Sequence, residues 1–457
     1  MSLIIVCVRL FKLILSLSKT RSLYPILSIF LTCLLYAVPV NAQEEADEAN
    51  PENTDAPSSK EDDLARQIAI LAEELEKIRS GETEEELTEE ESRALGVAPS
   101  ASKVYSREEQ GVSIAGYGEV LLENYVANNQ AGVGGGPVSK FDALRAIIYT
   151  GYRFNDKIVF NSEIEIEHAK EAYLEFAYVD YNVTDNLTLR GGLLLIPLGL
   201  VNEFHEPNVF IGAKRPVTEQ VIIPSTWREN GGGVLGNFGP VSFRAYIVNG
   251  MNGIKFSSSG FRGGRQKGGK AKAGDMAFAG RLDVTPTPGV FAGVGIYRGG
   301  SDQGQVKDSN GNEISMGTTI VEVHGQAQVR GIDIRGLFAQ ASVDNAGVAS
   351  TALGLSSGSP IADTLRGGYL QVGYNLLSQV DSPIASLMPY VRIETVDTQY
   401  RVPTGFTRDL KRDGTYKTFG MELKPINNVA LKAEYAVITN ALGSGRNQFN
   451  LNLGYAF

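Results

Sequence analysis

Arginines and glutamates fall on alternating positions of many short segments of this chain, as in Glu163, Glu165 and Glu167, a spacing that puts them on one face of extended strands. Arg145, Arg153, Arg190, Arg244, Arg281, Arg335 and Arg392 fall on that face, together with Glu163, Glu165, Glu167, Glu175, Glu322, Glu394, Glu422 and Glu434. Fixed charges of both signs around a common interior set up a transverse field, which orients polar solutes and penalises apolar ones. Many of them are also expected to pair across neighbouring strands as plain wall structure. This is the chemistry of selection, not of bond making, and no enzyme activity is expected.

Residues for covalent or metal chemistry are sparse. Both cysteines, Cys7 and Cys33, lie in the N-terminal apolar stretch, which leaves the rest of the chain without disulfides, thiol catalysis or cysteine metal sites. Of the three histidines, His205 stands between Glu203 and Glu206 but lacks H-E-x-x-H spacing, so a hydrogen-bonded loop histidine is expected. GGRQKGGKA (263–271) nearly spells a phosphate loop, but Ala271 stands where Ser or Thr is required. A flexible basic loop is expected there instead. KDSNGNEI (307–314) has an incomplete calcium-loop spacing and reads as an exposed turn. No cofactor, metal or nucleic-acid partner is expected. A hydrolase on the barrel wall would need an outward-facing Ser–His pair, and no histidine is assigned outward.

The elements that position these charges are strands. From Val112 to Phe457 the pattern has period two. In NQFNLNLGYAF, Phe449, Leu451, Leu453, Tyr455 and Phe457 face one way, and Gln448, Asn450, Asn452, Gly454 and Ala456 the other. In IVFNSEIEIEHA, Phe160, Ser162, Ile164 and Ile166 alternate with Asn161, Glu163, Glu165 and Glu167. Apolar outside and polar inside is the order of a membrane barrel with a hydrated lumen. Short turns (155–157, 184–186, 239–240, 425–428) alternate with long loops near 127–141, 196–230, 250–275, 299–316, 343–363 and 399–413. Strand starts are expected near 112, 142, 158, 171, 187, 231, 241, 276, 289, 317, 332, 364, 386, 414, 428 and 446. That is an all-β, about 16-stranded antiparallel transmembrane barrel. The 250–275 loop has six bases against one acid, which would draw anions to its mouth.

The N-terminus has a different character. Residues 1–42 read as a signal peptide: Arg9, Lys12, Lys19 and Arg21 precede the apolar LYPILSIFLTCLLYAVPV, and Val40-Asn41-Ala42 supplies a cleavage site. Residues 43–59 are acidic and poor in apolar residues, a composition that favours disorder. Leu64, Ile68, Leu71, Leu75 and Ile78 form a short heptad seam, so 60–110 is read as a coiled-coil helix, a further polar helical piece around GETEEELTEEESRA and a linker, PSASKVYSREE. Between Gln43 and Gln110 there are 21 acids and 7 bases, a local charge of −14. The remaining 111–457 balances 31 acids with 31 bases, so the net acidity belongs to the N-terminal segment and not to the barrel.

VSIAGYGEVLLENY, FNDKIVFNSEIEIEHA, HEPNVFIGAKRPVTEQVIIPSTWRENGGGVLG and GFRGGRQKG together resemble the phosphate-selective porin O and P family over roughly 110–457 and the preceding segment. The resemblance implies a homotrimer of barrels with the third loop folded inward, and it carries over Lys214, Arg215 and Arg228 as constriction-loop bases. The expected function is passive diffusion of small polar solutes through the outer membrane of a Gram-negative-type bacterium, with an anion or phosphate preference. The expected partners are membrane lipid, further copies of the chain, the barrel-assembly machinery through the C-terminal strand, and small anionic or polar solutes. The alternative is a structural envelope protein that tethers the membrane through its periplasmic N-terminal segment.

Overall fold

The computed structural model describes residues 87–107 and 109–457. The signal, the acidic segment and the heptad seam lie outside those residues. Sixteen strands make one closed sheet. They are β1 (Gly111–Tyr125), β2 (Lys140–Arg153), β3 (Ile158–Glu167), β4 (Glu171–Thr184), β5 (Leu187–Leu195), β6 (Arg228–Phe238), β7 (Val241–Asn249) and β8 (Met276–Thr287). β9 (Val290–Gly300), β10 (Gly317–Val329), β11 (Ile332–Val343), β12 (Thr364–Tyr374), β13 (Ser386–Arg401), β14 (Asp413–Ile426), β15 (Val429–Asn440) and β16 (Gln448–Ala456) follow. Every start lies within three residues of its expected place.

Each strand pairs antiparallel with its chain neighbours, and β1 closes on β16 with Tyr117 opposite Ala456. Gly116 and Phe457 exchange both backbone hydrogen bonds at the seam, at 3.0 and 2.8 Å. Closure removes the unpaired sheet edge that an apolar solvent could not satisfy. Alternation decides the faces: in β16, Phe449, Leu451, Leu453 and Tyr455 are exposed while Asn450, Asn452 and Ala456 are buried. In β3 the exposed Ile164 and Ile166 alternate with the buried Asn161, Glu163 and Glu165.

Two short helices precede the barrel and lie within its short-turn mouth. α1 (Glu89–Leu95) starts at a capping box in which Thr88 Oγ1 accepts from the Glu91 amide and the Glu91 carboxylate accepts from the Thr88 amide. It stops at Gly96, whose φ of +65° is left-handed. α2 (Pro99–Ser106) has Pro at its first turn, and its Ala98, Ala101 and Val104 face are buried. The sequence reading made this stretch a linker. Its helix propensity is ordinary, and its order comes from packing on β1, β2 and β3, which local composition does not record.

Candidate functional site

The strand charges face the interior as their spacing requires, but the lumen at their level is not the simple hydrated bore expected from the sequence. Arg145, Arg244, Arg281, Arg392, Glu163, Glu394 and Glu434 are each no more than 8% exposed. Two bodies cover them: the connection between β5 and β6 (196–227), the third loop at the long-loop end, and the α1–α2 segment.

The third loop crosses the lumen because the wall supplies a partner at each step. Asn202 ties its base, donating to the carbonyls of Ile196 (2.7 Å) and Trp227 (2.9 Å) and accepting from the Trp227 amide. Lys432 donates to the carbonyls of Pro207 and Phe210 and sits 4.2 Å over the Phe210 ring. Glu434 accepts from the Ala213 amide at 2.9 Å. Within this loop α3 (Thr218–Val221) begins on Glu394, which accepts from the Val217 and Thr218 amides and the Thr218 hydroxyl. Tyr369 donates to Glu219 at 2.6 Å. The loop therefore folds inward, as the resemblance implied.

The fourth loop at that end, between β7 and β8 (250–275), is not the free basic loop expected from GGRQKGGKA. Arg265 is 8% exposed and donates to the carbonyls of Thr226 (2.7 Å) and Pro224 (3.2 Å), clamping the third loop. Burial beside Arg262 pulls its guanidinium down to about 9. Arg262 holds the Ser225 carbonyl but remains exposed, as do Lys255 and Lys270. Lys267 Nζ lies 5.1 Å over the Tyr173 ring. These bases form a positive crown at the long-loop end.

The residues singled out from sequence divide into three groups. Lys214, Arg215 and Arg228 belong to the third loop and its exit. Lys214 pairs with Glu123 of β1, Arg228 with Glu175 at 2.8 Å, and Arg215 stacks on Phe210 at 5.9 Å, with burial holding its guanidinium down to about 10. Arg145 pairs across the wall with Glu119 (3.1 Å) and Glu165 (3.7 Å), while Glu163 lies 3.3 Å from both the Tyr117 hydroxyl and His205 Nε2. Arg281 meets Asp283 at 2.7 Å and holds the Gly199 carbonyl. The third group, Arg153, Arg190 and Arg244, turns toward α1–α2: Arg153 donates to Tyr105 O (2.9 Å), Arg190 to Leu95 O (3.0 Å) and Arg244 to Arg93 O (2.7 Å). Sequence reasoning did not pick out Asp180, Asp283 and Asn202. For the two aspartates period two was a usable signal, since they fall on the same face as Arg190 and Arg281. His205 Nδ1 bonds the Asn202 carbonyl at 2.8 Å, the loop role expected of it.

Two buried loop carboxyls should respond to pH. Burial pushes Glu206 up to about 7, partly opposed by the Ser100 hydrogen bonds and reinforced by Glu163. Burial likewise pushes Glu219 up to about 7 against its bonds from Tyr369 and Val201. A carboxyl raised above its ordinary value of about 4.3 favours the packed interior while protonated. That contribution is complete below about 4.3 and is lost as pH rises through the raised value, at roughly 1.4 kcal/mol per pH unit for each group. The melting temperature in detergent should therefore fall as pH rises from about 4.5 to about 7 and level off above that. The Glu206→Gln/Glu219→Gln variant should flatten that response, and an equally steep fall in the variant would assign it to other groups.

No protein-family model matches the chain. An uncharacterized protein of Aquifex aeolicus (strain VF5) is 38% identical over 356 residues, covering 74% of this chain and 78% of that one. Among solved structures, Salmonella typhi OmpF in complex with daunomycin aligns with 77% of this chain and 98% of that one, at a TM-score of 0.50 and 11% identity. The anion-selective porin from Comamonas acidovorans aligns over 76% and 100%, at a TM-score of 0.48 and 12% identity. The chain belongs to the family of the Aquifex aeolicus protein, and its fold is the sixteen-stranded antiparallel barrel of the outer-membrane porins.

Proposed function

We propose that this barrel is a passive outer-membrane channel for small polar solutes, with a preference for anions that extends to phosphate. The observation that carries the reading is a closed barrel with an apolar outer wall and a charged interior, crowned by exposed bases at the long-loop end. Diffusion through such a field needs no covalent step and no cofactor; the wall sets which solutes enter. In this reading the short turns and the α1–α2 segment face the periplasm. The outer wall meets lipid, the chain assembles as a homotrimer, and the strand ending at Phe457 is read by the barrel-assembly machinery. Lys214 and Arg215, partly exposed on the inward loop, face the passage, and Arg228, Arg145, Arg281, Glu163 and Glu165 form the buried, paired charge behind it.

The crown is the part whose charge can be changed at least cost to the fold, because Arg262 and Lys267 are not wholly buried. Arg262→Glu with Lys267→Glu should turn a chloride-over-potassium preference into the reverse in planar-bilayer recordings, and phosphate added to the wild type should block current that it leaves untouched in the variant. An unchanged permeability ratio would remove the crown from selectivity.

A further inference from the structure

The α1–α2 segment is seated like a stopper and attached like a removable one. Its hold on the barrel is made by side chains: among the described residues, no backbone–backbone hydrogen bond joins residues 88–106 to a strand or to the third loop. Wall groups grip its carbonyls instead. Arg153, Arg190 and Arg244 do so, and Asn161 donates to Ala101 O at 2.8 Å. At the start of α2, Glu206 of the third loop accepts from the Ser100 amide and hydroxyl, both at 3.0 Å. The Arg93 guanidinium lies 4.7 Å over Phe204 and 3.9 Å over Phe291. Val104 packs so closely on Gly151 that an added Cβ there would lie 2.5 Å from the Val104 Cβ.

The seat can survive without its occupant. Arg190 keeps both bonds to Asp180, at 2.8 Å each, and Arg244 keeps Asp283 at 3.1 Å. If the segment left, these arginines would still be neutralised by the wall, and the surface uncovered would be paired charge beside the rings of Phe204, Phe291, Tyr149 and Tyr178. The segment's own apolar contacts come mainly from short side chains, Ala94, Val97, Ala98, Ala101 and Val104, with Leu95 and Tyr105 partly buried against the same cluster. A well-fitted insert, two of whose anchoring arginines keep their wall partners without it, has the character of a gate.

We propose that α1–α2 is a displaceable plug that closes the short-turn mouth of the barrel, and that conduction requires it to leave its seat. This rests on the channel reading above. The test is single-channel recording of the full chain carrying Val104→Cys and Gly151→Cys, before and after dithiothreitol. A disulfide needs about 3.5–4.5 Å between Cβ atoms, so the 2.5 Å separation must open by about 1 Å as α2 eases away from β2. The oxidised protein should conduct severalfold less than the same protein reduced, reversibly, while the wild type ignores the reductant. Equal conductance in the two states would overturn the plug. So would a pair that stays unlinked under oxidant while both thiols label readily. A second variant, lacking residues 88–106, separates the two ideas. If it is silent, the channel reading itself fails; if it conducts no better than the intact chain, only the plug fails.

Discussion

Arg244→Ala is expected to destabilise the folded barrel by about 3–5 kcal/mol, the cost of leaving a buried ion cluster without its partner. Arg244 is 1% exposed and lies 3.1 Å from both Asp283 and Glu203. It also donates to the carbonyls of Arg93 and Ala94, at 2.7 and 3.2 Å. One guanidinium thus joins β7, β8, the third loop and α1. Its removal leaves Glu203 with only Arg281, at 3.7 Å, and two carbonyls without a donor. Chemical denaturation of the refolded protein in detergent measures the loss. Arg244→Lys should restore the charge but only part of the stability, because an ammonium cannot serve four acceptors in a planar fork. A loss below about 1 kcal/mol would mean that the cluster is wet and its pairs are weak.

Trp227→Ala is expected to cost a similar amount, about 3–5 kcal/mol, through a cavity at the root of the third loop. The side chain is fully buried, its ring lies 4.7 Å from that of Tyr297, and its Nε1 donates to Glu229 at 3.1 Å. Truncation removes the packing and one donor from a buried carboxylate, while the Asn202 clasp on the backbone remains. The loop should become open to proteases between residues 196 and 227, where the wild type resists. Trp227→Phe should recover most of the packing without the Glu229 bond. Because this is the single tryptophan of the chain, wild-type fluorescence also reports loop unfolding directly. Unchanged protease resistance in Trp227→Ala would show that the wall contacts at Glu394 and Glu434 hold the loop unaided.

The barrel was legible because period two records a physical boundary: Ile164 and Glu163 sit on opposite faces whatever else the chain does. Strand ends were legible from turn residues such as Gly239-Pro240, and the third loop from its length. What period two cannot record is what covers an inward face. Arg153, Arg190 and Arg244 also reach carbonyls of residues 93–105, and backbone acceptors leave no mark in composition. PSASKVYSREE looked like a linker for the same reason. Its small residues suit a crowded seat as well as they suit a flexible connection, and only the tertiary contact of Val104 with Gly151 distinguishes the two. Arg265 belongs to a glycine-rich basic run that signals exposure, yet it acts as an interior clamp on the carbonyls of Pro224 and Thr226.

The central claim is a passive path that favours anions. It is tested most directly by the reversal potential of single channels across a potassium chloride gradient, measured before and after phosphate is added. A reversal toward the chloride potential, with phosphate reducing the current at low concentration, is the predicted result. A reversal at or beyond zero toward potassium, with phosphate inert, would contradict it.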